Sequence, residues 1–171
     1  MDKKNNVLFT AINQLIEDDV IRYELITYWQ IGKRINEYFT DNNLIVSKNE
    51  SLLELSKQLI ERHGSICELN NINRMMQLAT DFPDEAAAEK ILSQLTWPHI
   101  LLLLPLTLPL QRDYYLEKCL TEKWTVNILE DKIKSMLYEL ELLELYNEGI
   151  NVPAYNPSLP SKEMLENKLY R

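Results

Sequence analysis

The sequence predicts an all-α fold: a compact multi-helix domain containing a helix–turn–helix-like pair, followed by a proline-rich C-terminal arm. Three observations carry that prediction. Apolar residues recur at intervals of three and four through most segments of the chain, the spacing of one helical face. The alternation that marks a half-buried strand shows only at residues 44–46. Turn and loop signals fall between the periodic segments, at 40–50, Gly64, Pro83 and 147–160.

The elements follow in order. Residues 6–18 place Leu8, Ile12, Leu15 and Ile16 on one stripe, and residues 20–39 do the same with Leu25, Trp29, Gly32, Ile35 and Phe39. A glycine inside a helix costs about 1 kcal/mol against alanine. Gly32 is therefore expected where a second helix comes too close for a side chain. Ser47 is placed to cap a helix over 49–63, which Gly64 closes as the first residue past the end. Residues 68–82 form the next helix, stopped by Pro83. Residues 83–95 then start a helix with proline and with Asp84 and Glu85, acids that favour a helix N-terminus. Residues 109–123 are helical, and 125–146 are expected as one long helix capped by Thr125. Its stripe is Val126, Leu129, Ile133, Met136 or Leu137, Leu140 and Leu143. The domain is expected over 1–146 and the arm over 147–171, with a possible short terminal helix in the arm.

The most apolar stretch, WPHILLLLPLTLPLQRDYY at 97–115, resembles a piece of membrane protein only at first sight. Eleven residues run from Ile100 to Leu110, interrupted by Pro105, Thr107 and Pro109. A spanning helix needs about 20 mostly apolar residues. The stretch reads as a buried helix ending near Leu104, a tight connection, and the start of another helix; no membrane role is expected.

Composition narrows the chemistry. Net charge is −8, and the cysteines are two, Cys67 and Cys119, too few for a disulfide framework, which fits a reducing cytoplasm. His63 and His99 have no partners at ligand spacing, so no metal is expected. Three glycines exclude a Gly-rich phosphate cradle, and no nucleophile elbow is present. No cofactor, small-molecule substrate or catalytic activity is expected. A loose PD…(D/E)xK nuclease pattern does exist in Pro83-Asp84 and Glu130-Asp131-Lys132. Asp84 stands where a helix start wants an acid, and Glu130 and Lys132, two apart on a helix, point in different directions. The pattern reads as chance.

The more informative feature is the pair of helices joined by GSIC at 64–67, a short Gly-containing turn. In the second helix Leu69, Ile72, Met76 and Ala79 are expected to face the core, leaving Asn70, Asn71, Asn73, Arg74 and Gln77 outward. Asn, Gln and Arg are the side chains that pair bidentately with adenine or guanine in the major groove. Phosphate contacts would come from Lys33, Arg34, Lys57 and Arg62. Charge limits that interaction. Residues 1–74 carry nine Lys/Arg against eleven Asp/Glu, and residues 75–171 nine against fifteen, whereas duplex affinity depends largely on neutralised phosphates.

Three stretches together resemble the N-terminal domain of the YhcG-like family: YWQIGKRI (28–35), NINRMMQLATDFPDE (71–85) and the long block LTWPHILLLL…KIKSMLYE (95–139). The long block carries the landmarks W-x-H, R-x-x-Y and W-[ST]-V. The resemblance covers roughly residues 8–140. It implies a helical domain, similar to a helix–turn–helix, that binds DNA and positions a PD-(D/E)XK nuclease-like domain carried elsewhere. This chain departs from the family pattern at several positions. Glu68 replaces the serine that opens the second helix, and Asn70 and Asn73 stand where arginines are common; Asn71 and Arg74 are kept. Thr107-Leu108 replaces a Lys-Asp pair, and Leu140-Glu141 an Arg-Thr pair.

The function expected is thus a non-catalytic module binding double-stranded DNA through the helix at 68–80. The alternative is a protein-interaction module that pairs with itself, as a dimer, or with a nuclease domain in another chain. Its interface would use Leu102, Leu103, Leu108 and Leu143.

Overall fold

The computed structural model describes residues 3–18, 24–42 and 48–147, and every regular element among them is helical. The chain divides into two compact units, residues 1–97 and 98–171. Ser47, the strand-like residues 44–46 and the arm beyond Asn147 lie outside the described residues. Among the described residues no helix is long and apolar enough to cross a membrane.

The first unit contains α1 (Lys3–Asp18), α2 (Glu24–Asp41), α3 (Lys48–His63), a 3-10 turn (Gly64–Cys67), α4 (Leu69–Asp81) and α5 (Glu85–Leu92). Helix α2 is central and packs against α1, α4 and α5. All five residues of its expected stripe are buried, with Ile35 fully enclosed. Gly32 sits against the backbone of α4 at Met75, the close approach its place in the stripe required. Polar bonds hold α2 and α4 on either side of that point. The Trp29 indole Nε1 donates to the Phe82 carbonyl at 2.8 Å, and Asn36 Nδ2 donates to the Met76 carbonyl at 2.9 Å and to Thr80 Oγ1 at 3.2 Å. Asp84 caps α5: its Oδ1 accepts the Ala87 N–H at 2.8 Å.

The second unit follows Trp97, the first residue of α6 (Trp97–Leu103), and continues with α7 (Pro109–Thr121), α8 (Val126–Lys134) and α9 (Leu137–Asn147). The leucine run is divided as its prolines predict, with Ile100, Leu103 and Leu104 buried and Pro109 opening α7. His99 is buried, and its Nε2 lies 3.1 Å from the Trp124 carbonyl. Thr125 caps α8 as expected, accepting the Ile128 N–H at 3.4 Å. The single helix expected over 125–146 is two helices instead. Met136 takes φ 58°, in the left-handed region, and the chain turns there. The Tyr115 hydroxyl, from α7, holds the break: it donates to the Lys132 carbonyl at 3.3 Å and accepts the Tyr138 N–H at 3.2 Å. The buried set after the break becomes Tyr138, Glu139, Leu142 and Leu143, so Leu140 is no longer the inner residue its stripe suggested.

Candidate nucleic-acid interface

Helix α3, the 3-10 turn and α4 occupy the segment around GSIC. Gly64 ends α3 with φ 78°, a conformation that favours glycine. Inside the turn, Ser56 Oγ donates to the Cys67 carbonyl at 2.8 Å, and both residues are buried, so α3 and the start of α4 are tied together. Burial also pushes the Cys67 thiol up to about 11, which keeps it a neutral core group.

Helix α4 has two distinct faces. Ile72, Met75, Met76, Leu78 and Ala79 are buried. Met75 and Leu78 widen the stripe beyond the four core positions read from the sequence, and Leu69 is only half-buried. On the other face Asn70, Asn73, Arg74 and Gln77 are exposed. Asn71 departs from the outward position expected of it. It is half-buried, its Nδ2 donates to the Ser65 carbonyl at 3.3 Å, and its Oδ1 accepts from Arg74 Nη1 at 3.3 Å. Glu68 precedes the helix as its N-cap residue, exposed, with its side chain making no capping bond. Sequence reading could find the outward polar run because α4 keeps a 3.6-residue period; the turn of Asn71 toward Ser65 depends on the 3-10 geometry and left no trace in the sequence.

The proposed phosphate contacts sit in mixed-charge surroundings. Lys33 Nζ pairs with Glu85 at 2.9 Å and lies 4.9 Å from the Trp29 ring centre; the hydrogen bond to Glu85 is the first cause of its raised pKa. Arg34 stands 3.8 Å from Glu37. These four charged groups line one cavity of 290 Å3 together with Leu15, Trp29 and Gln30, and their charges cancel. Arg62 pairs with Glu17 at 2.9 Å. Lys57 is exposed on α3, where Glu54 and Glu61, also exposed, are its neighbours at three and four positions.

Of the leucines proposed for an interface, Leu103 and Leu143 are core residues, 2% and 1% exposed, so they offer no accessible surface. Leu102 and Leu108 are half-buried. Leu110, which the sequence reading passed over, is 58% exposed at the second position of α7. The residues of the loose nuclease pattern have other engagements: Asp84 caps α5, and Glu130 pairs with Lys134 at 2.6 Å. Among the described residues no group of three or more His, Cys, Asp and Glu side chains is placed to hold a metal ion.

The fold and the two-faced α4 define an all-α module built on packed helix pairs. The chain matches the DUF1016 N-terminal domain over residues 8–140, and it belongs to that family. The match covers the same span as the resemblance drawn from the three sequence stretches. No curated protein and no solved structure matches the chain.

Proposed function

We propose that this protein is a non-catalytic DNA-binding module that reads duplex DNA through α4 in a reducing cytoplasm. It would serve a nuclease domain of the kind associated with YhcG-like proteins. The observation that carries this reading is the outer face of α4, where Asn70, Asn73, Arg74 and Gln77 are exposed after a short turn. A helix held by a preceding helix, with carboxamides and a guanidinium outward, suits entry into a major groove. Lys57, Arg62, Lys33 and Arg34 would supply the phosphate contacts. Pairing of the last three with carboxylates implies modest affinity and a shallow salt dependence.

The test is binding of the full chain to a random-sequence duplex pool at low and moderate salt, beside Arg74→Ala, with light scattering on the same samples. Salt-sensitive binding that weakens in Arg74→Ala is the expected result. No binding at low salt, together with a stable dimer, overturns it in favour of a protein-interaction module. One observation favours that second reading: Leu110 is strongly exposed beside the half-buried Leu108.

A further inference from the structure

We infer that the α4 face selects adenine rather than guanine at two neighbouring positions of a DNA duplex, through Asn70 and Asn73. The inference rests on the DNA-binding reading and adds to it the base that is read.

Asn70 and Asn73 are exposed, and among the described residues neither carboxamide is engaged by a hydrogen bond. They are three apart on α4, one turn along the same face, with Gln77 following four residues later. Residues at that spacing have Cβ atoms about 5–6 Å apart. Base pairs rise about 3.4 Å each, so the two carboxamides meet adjacent or next-but-one base pairs.

A carboxamide offers one acceptor and one donor side by side. That pair matches the N6 donor and N7 acceptor of adenine; guanine presents two acceptors, N7 and O6, which suit a guanidinium. The one guanidinium among the five proposed α4 readers, Arg74, is drawn sideways to Asn71 Oδ1, which is itself anchored to Ser65. The outward hydrogen-bonding capacity of this face therefore favours adenine. Charge adds weight to the base contacts, whichever base they meet. With Lys33, Arg34 and Arg62 beside carboxylates, base contacts must supply a larger share of the affinity.

The experiment is selection from a randomised duplex pool with the full chain, followed by titration of single-base variants of the enriched site. Adenine is expected at two positions that are adjacent or next but one to each other, and adenine-to-guanine exchange at either is expected to weaken binding about tenfold. Asn70→Ala and Asn73→Ala should each erase the preference at one position and keep the other. Asn73→Arg should shift its position toward guanine, and Asn73→Gln, which keeps the carboxamide, should retain adenine. Enrichment without adenine at those positions, or a preference unmoved by both alanine variants, overturns the inference and leaves DNA binding standing. No enrichment at low salt overturns both.

Discussion

Gly32 and Met75 are packed so closely that no methyl group fits between them. A Cβ on Gly32 would fall onto the Met75 carbonyl group and within 2.8 Å of the Met76 amide nitrogen. The obstacle is helical backbone, which cannot swing aside as a side chain can. Gly32→Ala must therefore push α2 and α4 apart or fail to fold. Helix propensity alone favours the alanine by about 1 kcal/mol; overpacking is expected to reverse that and cost about 3 kcal/mol. Urea unfolding of the variant measures the sign. An alanine variant as stable as the parent would show that α4 is not seated as described.

The Tyr115 hydroxyl serves two backbone groups at the α8–α9 break. Tyr115→Phe keeps the ring and leaves the buried Tyr138 N–H without that partner, while the part-buried Lys132 carbonyl still accepts from Ser135 Oγ, at an expected cost of about 2 kcal/mol. Calorimetry should show a lower Tm with little change in helix content. A Tm equal to the parent's would mean that the break is held by other contacts.

Alkaline stability follows from burial. Burial pushes the Cys67 and Cys119 thiols from 9.0 up to about 11 and the Tyr115 hydroxyl from 10.0 up to about 12. For an acid whose pKa is higher when folded, the contribution to stability is complete below the unfolded value and is lost as pH rises to the folded one. The contribution of these three groups should thus be level below about pH 9 and decline between about pH 9 and 12. The double variant Cys67→Ala, Cys119→Ala should flatten the first part of that decline. Urea midpoints recorded across the range would detect either outcome.

Pairing of Lys33 with Glu85 suggests a direct check on its role as a phosphate contact. The pair is largely exposed, 38% and 54%, and exposed pairs contribute little to stability. Glu85→Gln should leave the urea midpoint nearly unchanged and release the ammonium. If Lys33 touches phosphate, DNA affinity rises and the dependence on log salt steepens by about one unit. Unchanged binding would remove Lys33 from the interface.

Much of the fold could be read where local pattern and packing agree. The α2 stripe, the close approach at Gly32, the division of the leucine run by Pro105 and Pro109, and the caps at Gly64 and Thr125 all follow from short-range rules. The α8–α9 break could not be read that way. Neither Ser135 nor Met136 is a helix breaker, and the hydroxyl that stabilises the turn comes from Tyr115 on another helix. The phase change it introduces buries Glu139, whose Oε1 accepts from Gln111 Nε2 at 2.6 Å. The candidate site was legible in residue type and less so in company. Arg74 and Asn73 were placed outward correctly, whereas the carboxylates facing Lys33 and Arg62 come from α5 and α1, far along the chain.

The bonds from Trp29 and Asn36 reach α4 and the residue after it from the inner side, at Met76, Thr80 and Phe82. The residues that anchor the helix and the residues it presents to solvent are almost separate sets; Thr80, exposed yet bonded to Asn36, belongs to both. Such a division makes the outer surface an exchangeable panel: replacing Asn70 or Asn73 would change what α4 shows to solvent with little cost to folding.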